Sequence, residues 1–176
     1  MAEQGAINRE RFEKATTFDQ YVERMQVNKE KMSQYTDEVQ VSEEDLKWWR
    51  SQGKLNVFVL TYDGCGDALF NIPVMAKIAK QCPNVDLRVV QRDENLDIMD
   101  KHLLLGAYRA VPTFIFLDEN FNEIANLKER PEKVREVIER EMLRIRRGLR
   151  EQYKEEWRAE MARELREVVA TKKHYQ

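Results

Sequence analysis

Cys65 lies in the run Tyr62-Asp63-Gly64-Cys65-Gly66-Asp67, with a glycine on each side and a predicted strand and helix before and after it. A thiol at the start of a helix faces unpaired backbone N–H groups and the positive end of the helix dipole. Both favour thiolate over thiol, and the thiolate is the nucleophile of sulfur chemistry. Gly66 leaves the sulfur sterically open, whereas the negative charge of Asp67 works against a second one nearby. A free cysteine is often only a small buried hydrophobe, but the glycine-flanked loop favours the reactive reading. Asp63 and Asp67 have the chemistry to relay protons during thiol exchange. Solvating the loop and capping the helix is the simpler role for both.

The second cysteine, Cys82, ends the following helix just before Pro83-Asn84 and reads as packing. The intervening helix spans on the order of 20 Å at 1.5 Å per residue, while a disulfide needs Cα atoms within about 7 Å. Cys82 therefore cannot answer Cys65 as a disulfide partner. His102 and His174 show no ligand spacing with either cysteine, so no metal and no cofactor is expected. His102 itself reads as a surface residue.

The elements that must position Cys65 follow from hydrophobic period. Phe18, Tyr21, Met25, Met32, Tyr35 and Val39 recur at helical spacing and predict a helix over 12–39. A short helix starts at Ser42, with Asp45 three residues on, and ends near Gly53, which suits a left-handed C-terminal position. Residues 55–60 form a compact apolar run of strand length, and 68–81 are helical around an interior Pro73. Residues 85–90 alternate as a second strand, 96–105 suggest a helix, and 111–117 form a third strand opening on Pro112. Residues 122–127 return as a hairpin. Trp48-Trp49 reads as a partial lid on the core, one ring covered and one not.

Beyond Pro131 a charged helical stretch runs to about 169, with Val134, Ile138, Met142, Ile145, Leu149, Tyr153, Trp157, Met161, Leu165 and Val168 in one stripe. Such a helix, on the order of 55 Å long, must lay its stripe on something beyond a small core, either the 12–39 helix or a second copy of the chain. Gly148 is a candidate bend. Arg144, Arg146, Arg147 and Arg150 could meet an acidic partner, although interleaved glutamates favour a solvated face.

The chain has 176 residues, with 30 Lys+Arg against 32 Asp+Glu, a balance that argues against nucleic-acid binding. No apolar stretch approaches the roughly 18 residues that would span a membrane, and the start lacks a secretory apolar region. Two cysteines are too few for a disulfide scaffold, and a cytoplasmic, reducing location is expected. The domain reading is 1–41 as an N-terminal helical extension, 42–130 as an α/β domain and 131–176 as a long C-terminal helix.

Over residues 46–131 the ordered set Cys65-Gly66-Asp67, Asn71-Ile72-Pro73, Arg92-Asp93-Glu94-Asn95-Leu96, Val111-Pro112 and Phe116-Leu117-Asp118-Glu119 resembles the thioredoxin superfamily, and more narrowly a group of uncharacterised bacterial thioredoxin-like proteins. The resemblance implies a thioredoxin-like fold, a central mixed sheet flanked by helices. It also implies that Pro112 is cis and adjoins Cys65, with the Val111 backbone pairing an extended substrate. Gly64, Gly66, Val111 and Pro112 would then line a substrate groove. The family's Cys-x-x-Cys motif is incomplete, because Ala68 stands at the second cysteine and Gly64 where tryptophan is usual.

Three functions remain open on that footing. One is a monothiol oxidoreductase acting through Cys65, with glutathione or protein thiols and disulfides as partners. The second is a catalytically inactive binding module that keeps the groove. A cysteine-anchored metal or cofactor site is the third reading and the weakest. A homodimer through the C-terminal helix is compatible with any of them.

Overall fold

The computed structural model describes residues 7–171, less the side chains of 167–169 and 171, so His174 lies outside the described residues. They form two units, divided between Pro131 and Glu132.

In the first unit, β1 (Leu55–Thr61), β2 (Val85–Gln91), β3 (Thr113–Leu117) and β4 (Glu123–Lys128) make one sheet in the order β2-β1-β3-β4. β1 and β2 are parallel, with Leu55 opposite Val85; β3 runs antiparallel to both β1 and β4. A parallel pair needs a crossover, supplied by α5 (Gly66–Gln81). This mixed sheet flanked by helices is the thioredoxin-like architecture the sequence implied.

β1 is apolar on both faces because both are covered. Val57 and Val59 face a core completed by Leu69, Ile72 and Met75 of α5, whereas Phe58 and Leu60 face one completed by Phe12, Ile98 and Met99. Cys65 packs against both clusters, at the end of β1 where the two cores meet. α4 (Glu43–Ser51) is capped by Ser42, which accepts from the Asp45 N–H. Trp49 lies 6.3 Å from the Phe116 ring, and Trp48 is exposed.

The expected helix over 12–39 is instead three: α1 (Arg9–Lys14), α2 (Phe18–Arg24) and α3 (Lys29–Glu38). Thr17 and Gln20 form a reciprocal capping box that starts α2 afresh. Asn28, at φ 62°, adopts the left-handed conformation that asparagine tolerates better than most residues and sets α3 on a new axis. The periodicity misled because Tyr21 of α2, Met25 at its C-terminal cap and Met32 of α3 all enter one core. Thr16 and Thr17 also dock on β2, the Val89 N–H donating to the Thr16 carbonyl at 2.9 Å.

Three further expectations are corrected. The helix over 96–105 shrinks to α6 (Leu96–Met99), preceded by a 3-10 turn at Arg92–Glu94. Gly53 is not left-handed; among the described residues Gly106 is the glycine with positive φ. His102 is buried rather than at the surface, with Nδ1 2.8 Å from the Ile98 carbonyl and Nε2 2.9 Å from a Glu123 carboxylate oxygen.

The second unit is helical. The expected single long helix divides at Tyr153 into α7 (Glu132–Gln152) and α8 (Lys154–Thr171), not at Gly148. No helix among the described residues is long and apolar enough to cross a membrane.

Candidate functional site

β1 delivers the chain to Tyr62, and α5 takes it up again at Gly66, leaving Cys65 as the residue that caps the helix. The Cys65 N–H donates to the Tyr62 carbonyl at 3.2 Å, closing a tight turn, and its side chain makes no capping bond. The sulfur is thus free to turn from the helix end toward β3. Cys65 Sγ lies 3.2 Å from the carbonyl oxygen of Val111. The Val111–Pro112 peptide is cis, and both residues are buried. The structure therefore brings Cys65, Val111 and Pro112 together. Gly64 and Gly66 are exposed on either side of the half-buried Cys65.

The two glycines differ in what they permit. A Cβ at Gly66 would meet nothing within 4 Å. One at Gly64 would come 2.7 Å from Cε2 of Tyr62, because that ring lies over the glycine. Tyr62 thus fills the space beside position 64, with the Arg92 guanidinium 5.3 Å from its ring centroid, within cation–π range.

Asp63 holds the loop. Its carboxylate accepts from the Tyr21 hydroxyl at 3.2 Å, the Gln91 amide at 2.6 Å and the Gln26 N–H at 2.8 Å. The Asp63 carbonyl also accepts from the Asn28 amide at 3.0 Å. The break between α2 and α3 thereby serves the site, since the Gln26 and Asn28 donors at that junction grip the residue two before Cys65. Burial pushes the Tyr21 hydroxyl well above the ordinary tyrosine range, and the Asp63 carboxylate adds to it. Tyr21 accordingly acts as a donor to Asp63.

Asp67, in the first turn of α5, pairs with Arg130, which also reaches Glu129 at 2.8 Å. The carboxylate placed beside the sulfur thus has its own counter-charge. Glu129, at φ 64°, donates its N–H to the Pro112 carbonyl at 2.7 Å and accepts from the Asn71 amide at 2.9 Å. These bonds tie the end of β4 and the Pro112 segment to α5. Arg130 and Glu129 carried no signal in the sequence and Tyr21 read only as one apolar position of a helix, their partners lying between 42 and 63 residues away.

The other candidates lie elsewhere. Ala68 is buried against the core. Cys82 is fully buried at the opposite end of the 16-residue α5, its Sγ 3.8 Å from the Leu46 carbonyl. At 1.5 Å per residue the helix separates the two cysteines by about 25 Å. Both are free thiols. The two ring nitrogens of His102 contact Ile98 and Glu123, away from the sulfur's partners.

A family model described as thioredoxin matches residues 15–154. No curated protein matches the sequence. Among solved structures, a protein of unknown function from Pseudomonas aeruginosa is 17% identical with a TM-score of 0.66, the match covering 82% of this chain and 90% of that one. An HIV epitope scaffold is 19% identical with a TM-score of 0.62, over 73% of this chain and 81% of that one. Thioredoxin from Fasciola hepatica is 26% identical with a TM-score of 0.37, over 56% and 88%.

Proposed function

The chain belongs to the thioredoxin family, and on that premise we propose that it carries out thiol–disulfide exchange through Cys65 alone. The observation that carries this reading is the placement of the sulfur. Cys65 is half-buried at the N-terminus of α5 and against Val111, while Cys82 is sealed at the far end of the helix and Ala68 occupies the position three residues on. In the forward step Cys65 loses its proton to solvent and the thiolate attacks one sulfur of a disulfide. The Cys65–sulfur bond forms as the original disulfide bond breaks, and the second sulfur leaves as a thiolate. An external thiol then attacks the mixed disulfide and returns Cys65 to the thiolate. Glutathione or a protein thiol supplies the electrons. Val111 and Pro112 form the wall along which an extended substrate lies, with Gly66 leaving the approach open on one side and the Tyr62 ring covering the side at Gly64.

A second reading has its own support. The resolving position is an alanine buried in the core, as suits a thioredoxin-like binding module that keeps the groove without the chemistry. Incubation with glutathione disulfide separates the two. The exchange reading expects a mixed disulfide on Cys65, reversed by excess glutathione and lost in Cys65→Ser. If the parent protein stays unmodified while its partners survive Cys65→Ser, the binding module is the function.

A further inference from the structure

The second unit leaves a long apolar face uncovered by its own residues. No residue of α7 is buried, and Val137, Ile138, Met142, Ile145, Leu149, Tyr153, Trp157, Met161 and Leu165 are 37–56% exposed. At on the order of 100 Å² for each of the half-exposed rings of Tyr153 and Trp157, and less for each of the seven aliphatic side chains, the face amounts to roughly 800 Å². A lone soluble chain leaves contiguous patches of only a few hundred Å², whereas a stable interface takes about 800 Å² from each partner.

The order of residues along this face indicates what covers it. Two copies laid antiparallel with Glu151 at the two-fold axis set each residue against the one equally far on the other side of that centre. Leu149 then meets Tyr153, Ile145 meets Trp157, and Val137 meets Leu165. The flanking charges pair in the same register: Arg146 with Glu156, Arg147 with Glu155, Glu139 with Arg163, and Glu136 with Arg166. Two like-charge meetings remain: Glu151 faces its own copy at the axis, and Arg144 faces Arg158, although each arginine already has a glutamate within its own helix, Glu141 at 3.7 Å and Glu155 at 3.0 Å. A parallel arrangement would stack the cluster at 144, 146, 147 and 150 on itself, with like charges repelling. The division between α7 and α8 at Tyr153 falls two residues from the proposed axis, with 21 residues in one helix and 18 in the other.

We propose that α7 and α8 form an isologous antiparallel interface with a second copy of this chain, centred on Glu151, so that the protein works as a dimer carrying two Cys65 sites. The test uses the full chain in a Cys65→Ser, Cys82→Ser background. Sedimentation at micromolar concentration should give twice the chain mass, returning to one chain mass in an Ile145→Glu, Leu149→Glu variant. Val137→Cys and Leu165→Cys chains, mixed and oxidised, should cross-link to each other, while neither cross-links to itself. A monomeric parent would overturn the proposal and leave the face to this chain's own first unit. Self-cross-linking of either single variant would overturn it in favour of a parallel pair.

Discussion

The sulfur of Cys65 lies 3.2 Å from the carbonyl oxygen of Val111, the residue whose peptide bond to Pro112 is cis. A protonated thiol donates to that oxygen, whereas a thiolate there would face a second electron-rich atom. In the proposed exchange, attack on a disulfide begins with the sulfur turning from Val111 toward the open side at Gly66, where an added Cβ would meet nothing within 4 Å. The contact holds the resting thiol in place.

Selective labelling follows from the burial of the two thiols. Native protein treated with iodoacetamide at pH 7 should take one label, on Cys65, and Cys82 should react only after unfolding. Peptide mapping by mass spectrometry reads both sites. Rapid labelling of Cys82 in the native state would contradict its burial at the end of α5.

Restoring the missing partner should change the chemistry. In Ala68→Cys the new thiol stands one helical turn beyond Cys65, close enough for an intrachain disulfide. The variant should therefore release mixed disulfides unaided, reducing one protein disulfide per chain as its own pair oxidises and turning over only when dithiothreitol re-reduces that pair. In the proposed mechanism the parent instead uses an external thiol for each release. Ala68 is buried, so the larger side chain costs about 1–2 kcal/mol of stability. Stopped mixed-disulfide intermediates in the variant, trapped as in the parent, would mean that the position cannot reach Cys65.

Asp63 supports the site from the opposite side. Asp63→Ala strands the buried Tyr21 hydroxyl and removes the acceptor for Gln91 and Gln26. A lost buried acceptor should cost about 2–3 kcal/mol in urea unfolding, together with faster proteolysis of the α2–α3 junction. Tyr21→Phe should recover part of the loss in the Asp63→Ala background, since it removes the orphaned donor. Equal stability of parent and Asp63→Ala would show that these bonds contribute nothing.

The sheet and the position of Cys65 were legible because both rest on local sequence. The apolar run at 55–60 and the alternation at 85–90 became β1 and β2, and the turn with two glycines placed the thiol at a helix start. The N-terminal region was not legible as three helices, because the apolar residues of α2 and α3 share one core and keep helical spacing across the break between them. The breaks were written locally all the same, in the Thr17–Gln20 capping pair and in Asn28. His102 was misplaced for a different reason. A histidine directly after Asp100 and Lys101 reads as exposed, and Glu123, brought alongside by the sheet, joins the local Ile98 carbonyl as the second partner that makes burial tolerable. The same holds for Asp67 and Arg130, which the fold brings together from 63 residues apart.

Acid sensitivity should track the link between α1 and α6. The Arg11 guanidinium forks onto both carboxylate oxygens of Asp97, with one bond at 2.7 Å, and reaches Asn95 at 3.0 Å. Hydrogen bonding to Arg11 holds the Asp97 carboxyl below the usual carboxylate range, against the opposing pull of burial. A folded-state value below the unfolded one, about 3.9 for aspartate, means that the pair's contribution is complete above that pH. It fades as the pH falls from about 4 toward the depressed value. Both side chains are about three-quarters covered, so Asp97→Asn should lose about 1–2 kcal/mol at pH 7. The gap between variant and parent should narrow as urea unfolding is repeated at successively lower pH below about 4. A gap that stays constant down to pH 2 would show that the loss comes from packing at the α1–α6 contact and not from the charge on Asp97.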